Sequence, residues 1–148
     1  MTSQRRARIT ATLVAFVAGL ATAAYLFAGA TRYISWREWI QNGGGAYVYF
    51  TYPAGAALAS YLSAWGAIRW RGAPATILVV VLSSLVGVII AVPVSQFLDC
   101  HYWGCSNISS DFLAFRLEIE TPFIWLLLAI MTTILALLAR RIAGPVSP

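Results

Sequence analysis

Four long stretches without a charged side chain limit what this chain can fold into. They run from about Ile9 to Ala30, Ala46 to Ile68, Ala75 to Phe97 and Thr121 to Ala139, and none contains Asp, Glu, Lys, Arg or His. A helix crosses about 30 Å of hydrocarbon with about 20 apolar residues. Lipid offers no hydrogen bonds to a backbone, so each stretch must satisfy its own amides and is expected to be helical. A membrane barrel would instead show short strands of alternating polarity. The composition agrees, because 10% charged residues is far below the roughly 25% of soluble domains. The expected fold is an all-α membrane protein with one domain over residues 1–148. It is a four-transmembrane-helix bundle with two short outer loops, about 31–45 and 98–120.

The charges that remain are sorted by position. Arg5, Arg6 and Arg8 precede the first stretch, Arg69 and Arg71 lie in the short "RWRGAP" link, and Arg140 and Arg141 follow the fourth. Those three places alternate with loops that hold Arg32, Arg37 and Arg116 and all five acids: Glu38, Asp99, Asp111, Glu118 and Glu120. By the positive-inside rule both termini are cytoplasmic and the two longer loops face outward. The net charge of +5 is then a topology signal, and nucleic acid is not an expected partner. Ten arginines without a lysine suit a GC-rich bacterial genome, so the expected location is a bacterial cytoplasmic (inner) membrane. A cleaved signal peptide ending near Ala28–Ala30 is the competing account of the first stretch. Its apolar run exceeds the usual 7 to 15 residues, which favours a retained helix.

Small residues four apart let helix backbones approach closely in lipid. Gly19 with Ala23, Gly55 with Ala59, Ser83 with Gly87, and Gly87 with Ala91 have this spacing, so the first three helices are expected to form the tight part. The fourth is leucine-rich and is expected to face lipid or a partner subunit. Pro53 and Pro93 each mark a place where a helix can bend.

The stretch "DCHYWGCSNISSDF" holds both cysteines and the single histidine. On the outer side thiols oxidise, so Cys100 and Cys105 are expected to form a disulfide. Closing so short a loop contributes about 2 kcal/mol in the chain-entropy account. A zinc site is disfavoured because adjacent Cys100 and His101 do not match the usual ligand spacings, and haem attachment would need Cys-x-x-Cys-His. Redox catalysis would need a second cysteine pair to relay electrons. Asn107-Ile108-Ser109 fits a glycosylation sequon, a triplet common by chance.

The segment "TRYISWREWIQNGGG" places Tyr33, Trp36, Trp39 and Ile40 on one helical face and suits a helix lying in the headgroup layer. "DFLAFRLEIE" fits either a short strand or an interfacial helix. Tyr47, Tyr49, Tyr52, Trp103, Phe123 and Trp125 are expected in an outer aromatic belt, and Trp65 and Trp70 in an inner one. Ion-coupled transport usually needs ionisable groups within the bilayer, and here the stretches offer only tyrosine. No nucleophile, acid–base pair or metal cluster is brought together by the sequence. No catalytic, cofactor-binding or metal-binding residue is therefore expected. The leading expectation is a non-catalytic accessory or interaction subunit of a larger membrane complex, with lipid and other membrane subunits or further copies of itself as partners. The alternatives are a small oligomeric channel or uncoupled transporter, lined by Ser60, Ser63, Ser83, Ser84, Thr132 or Thr133, and a membrane thiol oxidoreductase using Cys100 and Cys105.

Overall fold

The computed structural model describes residues 3–33, 48–70, 72–101 and 121–143. They form helix α1 (Ser3–Tyr33), α2 (Val48–Arg69), α3 (Ala73–Ile89), a π-helical turn (Ile90–Val94), α4 (Ser95–Asp99) and α5 (Thr121–Ala143). The α3, π-turn and α4 pieces follow one another without a break. Each long element runs past the stretch that announces it at one end or both. Hydrogen bonding carries α1 back to Ser3 through its arginines and α5 on through Arg140 and Arg141 to Ala143, since arginine is a good helix former whatever its solvent.

Three of these rods are long and apolar enough to cross a membrane: Gln4–Ala28, Ala73–Leu98 and Thr121–Ala143. They mark a multi-pass membrane protein. The expected second span is a helix of 22 residues, but it falls short of the apolarity of the other three. The reason is its surroundings. α2 packs against α1, α3 and α5 together, so most of its surface meets protein, where Ser, Gly and Ala serve better than Leu. The expectation of four spans is thus met in full by three.

Registers fix the directions. Gly19 of α1 faces Ala57 and Pro53 of α2, and Gly55 of α2 faces Gly87 and Ala91, while Gly66 faces Val79 nearer the α2–α3 turn. Leu128 of α5 approaches Gly87, and Arg140 reaches Thr76. Consecutive rods therefore alternate, and α2 and α5 run parallel. Gly72, at φ 123°, makes the tight α2–α3 turn in a conformation that residues with a Cβ rarely adopt.

Three apolar clusters fill the interior. Tyr52, Ala56, Val88, Ala91, Val92 and Leu128 form one towards the π turn. Ala67, Val80 and Ala136 form a second, and Ala7, Ala11, Ala64, Ile68 and Ala139 a third at the opposite end. The last joins the start of α1, the end of α2 and the end of α5, so these three helix termini lie at one end of the bundle.

Candidate functional site

The spacings that predicted close packing bring backbones together at α2 and α3. A Cβ added at Gly55 would stand 2.4 Å from the Gly87 carbonyl oxygen, and one at Gly87 would stand 2.7 Å from Ala59 Cβ and 2.8 Å from the Gly55 oxygen. A Cβ at Gly19 would reach Ala57 Cβ at 3.3 Å. Ser83 and Ala91 are buried in the same contact zone, and Ala23 is half-buried on α1. These small residues are occupied within one copy of the chain.

Close approach leaves a seam of hydroxyls where large side chains do not fit. Ser60, Ser63, Ser84 and Thr132 have no exposed surface, and Ser83 is buried beside them on α3. The antiparallel register sets Ser60 near the level of Ser84 and Thr132, with Ser63 about one turn further along α2. Most of these hydroxyls satisfy themselves locally. Thr132 Oγ1 donates to the Leu128 carbonyl at 2.7 Å, Ser84 Oγ to that of Val81 at 2.9 Å, and Ser83 Oγ to that of Val79. Ser60 and Ser63 have no hydrogen-bond partner among the described residues. Thr133, named with them as a pore residue, is exposed on α5 and bonds to the Ala129 carbonyl at 2.6 Å.

Two contacts between helices were not legible as such. Trp125 Nε1 donates to Ser84 Oγ at 3.0 Å, so an indole expected in the outer belt turns one edge into the bundle. Thr51 Oγ1 donates to the Ala91 carbonyl at 3.1 Å and ties α2 to the π turn that contains Pro93. Pro93, four residues before the end of its apolar run, was the only sequence signal of irregular backbone there. Tyr52, another expected belt residue, is buried in the core, whereas Tyr49 meets Phe27 at a tilt with centroids 5.2 Å apart.

The end shared by the starts and ends of the helices carries Arg5, Arg6, Arg8, Arg69, Arg140 and Arg141. Arg69 lies over the Trp65 ring at 5.9 Å, and Trp65 meets Trp70 edge-on at 6.2 Å. Arg140 is half-buried and donates to Thr76 Oγ1 at 3.2 Å, and that hydroxyl bonds in turn to the Gly72 carbonyl at 2.9 Å. At the other end Cys100 closes the described part of α4, and no described cysteine is a free thiol. His101 stacks on Phe97 at 6.0 Å. Cys105, Asn107, Trp103, Tyr47 and the segments around Trp36 and Phe115 lie outside the described residues, as do the acids of the outer loops apart from Asp99 on α4.

No protein-family model matches the chain, and comparison with curated proteins and with solved structures finds no significant similarity.

Proposed function

We propose that the chain is a non-catalytic integral membrane protein, an accessory or interaction subunit that docks on a larger assembly in a bacterial cytoplasmic membrane. In this reading α2 is the fourth span, both termini are cytoplasmic by the arginine bias, and a Cys100–Cys105 disulfide shapes the outer loop. The observation that carries it is the division of labour among surfaces. Small residues are occupied internally, and the polar groups described within the bundle are hydroxyls and an indole, a set that lends itself to packing rather than proton or electron transfer. For a partner the reading assigns the row on the leucine-rich α5 that includes Leu126, Ile130, Ile134 and Leu137, each about half exposed as are rows on α1 and α3, together with the outer loops.

The test is gentle solubilisation followed by native electrophoresis, with a photo-crosslinking residue at Ile134 and, as control, at Leu13 on α1. A larger species, crosslinked from position 134, is the expected outcome. A lone monomer with no crosslinked product from either position would overturn the reading. A channel between copies is less favoured, because five of its six lining hydroxyls face the inside of a single copy. The oxidoreductase reading fails if replacing both cysteines by serine lowers stability alone.

A further inference from the structure

The arginine end holds a charge that no carboxylate among the described residues neutralises. Residues 1–37, 46–98 and 121–148 contain no Asp or Glu, so the helix ends gathered there bring guanidinium groups and no carboxylate. Two of these groups are nonetheless held in place. Arg69 is held by the Trp65 face and Arg140 by the Thr76 hydroxyl, both neutral partners. A guanidinium has five N–H donors in a planar fork, so Arg140 keeps most of its donors after its bond to Thr76. Positioned cations with unused donors and no counter-charge call for an external anion.

The surroundings say which anion. Below the arginines the bundle surface is apolar on both flanks, with Ile77 and Leu78 of α3 63% and 59% exposed and Leu137 and Leu138 of α5 52% and 46% exposed. Trp65 under the Arg69 guanidinium and Trp70 beside it lie at the same end, and indoles are enriched at the membrane–water interface. A ligand that fits both zones has a phosphate head and a hydrocarbon tail. We propose that this end is a binding surface for anionic phospholipid, with headgroup phosphates on Arg69, Arg140 and Arg141 and acyl chains along the exposed aliphatic residues of α3 and α5. Arginine suits the role because its fork meets two phosphate oxygens at once.

The full chain reconstituted in phosphatidylcholine vesicles, with trace spin-labelled phosphatidylglycerol or spin-labelled phosphatidylcholine, gives the relative affinity from the motionally restricted fraction of each label. The expected result is a preference for phosphatidylglycerol of roughly fivefold, the effect of one basic side chain at a charged membrane surface. It should shrink as salt is raised. The combined variant R69Q, R140Q and R141Q should bring the two lipids to parity, and R69K, R140K and R141K should restore most of the preference. Equal affinity for both lipids in the wild type overturns the proposal, as does an undiminished preference in the glutamine variant. If that variant does not fold, the wild-type salt titration decides, and a preference indifferent to salt overturns it. Inorganic phosphate that abolishes the preference, where chloride of equal ionic strength does not, would assign the surface to a soluble anion and also overturn it.

Discussion

α2 and α5 run side by side in the same direction and have nearly the same length, yet they follow opposite rules. α2 is built from Gly, Ala, Ser and Tyr and is covered by three other helices. α5 is built from Leu and Ile, buries Leu128, Thr132, Ala136 and Ala139 along one stripe, half-buries Ile124, Met131 and Leu135 beside it, and leaves Leu126, Leu127, Ile130, Ile134, Leu137 and Leu138 exposed. Between two helices in lipid no hydrophobic force favours association, because the acyl chains are as apolar as leucine. Close van der Waals contact between small residues does the work instead. Hydropathy therefore reports what surrounds a helix, and the least apolar helix is the one at the centre. The difference can be broken or sharpened by substitution on either helix.

The largest effect is expected at the α2–α3 crossing. Gly55→Val puts a branched side chain where even a Cβ lies 2.4 Å from the Gly87 carbonyl oxygen, and the backbones must part. The cost should exceed the ~1–3 kcal/mol typical of overpacking, seen as loss of a monodisperse species in detergent. Gly66→Ala is the milder companion. Its Cβ would meet Val79 Cγ1 at 2.5 Å, a clash with a side chain and not with backbone that a small shift of the helices relieves, so a cost of about 1 kcal/mol is expected. Equal tolerance of both changes would mean that α2 and α3 are not in close contact.

On α5 the expectation is reversed in kind. Ile134→Lys on the exposed row should impair membrane insertion by about 3 kcal/mol at mid-helix, measured by glycosylation mapping of an insertion reporter. The folded interior should be indifferent to it. Full insertion of the lysine variant would show that water, and neither lipid nor an apolar partner surface, covers this row. Next in size is Trp125→Phe, which removes the indole donor to Ser84 while Ser84 keeps its bond to Val81. A loss of about 0.6 kcal/mol is expected, the average for hydrogen bonds between membrane helices, read from denaturant titration in micelles.

These contrasts also show how far the sequence could be read. The rods α1, α3 with α4, and α5 were visible because lipid demands long uncharged runs, a one-dimensional property. Gly55, Ala59, Gly87 and Ala91 were visible as a spacing, and the spacing lies where α2 meets α3. The apolarity of α2 was overread, since Tyr and Ser in its run were counted with the same weight as Leu. The directions of Trp125, Tyr52 and Arg140 were hidden for a different reason. Rotation of a helix about its own axis is settled by its neighbours, and no local signal tells an interfacial indole from one turned inward. The hydroxyl seam was partly visible: Ser60, Ser63, Ser83, Ser84 and Thr132 were singled out as polar, but as the wall of a pore between copies. A uniform lack of charge on every face gave no clue to which face was inside.

The smallest effect should come from Ser60, and its sign carries the information. Removing a hydroxyl that makes a hydrogen bond costs stability, whereas removing a buried hydroxyl with no partner relieves a desolvation penalty of ~1 kcal/mol or more. Ser60 Oγ is fully buried and unpartnered among the described residues. Ser60→Ala should therefore leave stability unchanged or raise it by up to about 1 kcal/mol, measured by the same micelle titration. Ser84→Ala, at a hydroxyl with two partners, should lower it by a similar amount. If Ser60→Ala is as destabilising as Ser84→Ala, the α2 hydroxyl has a partner in the membrane, a buried water or a solute. The centre of the bundle would then be a wet path, in contrast to the dry rim along α5.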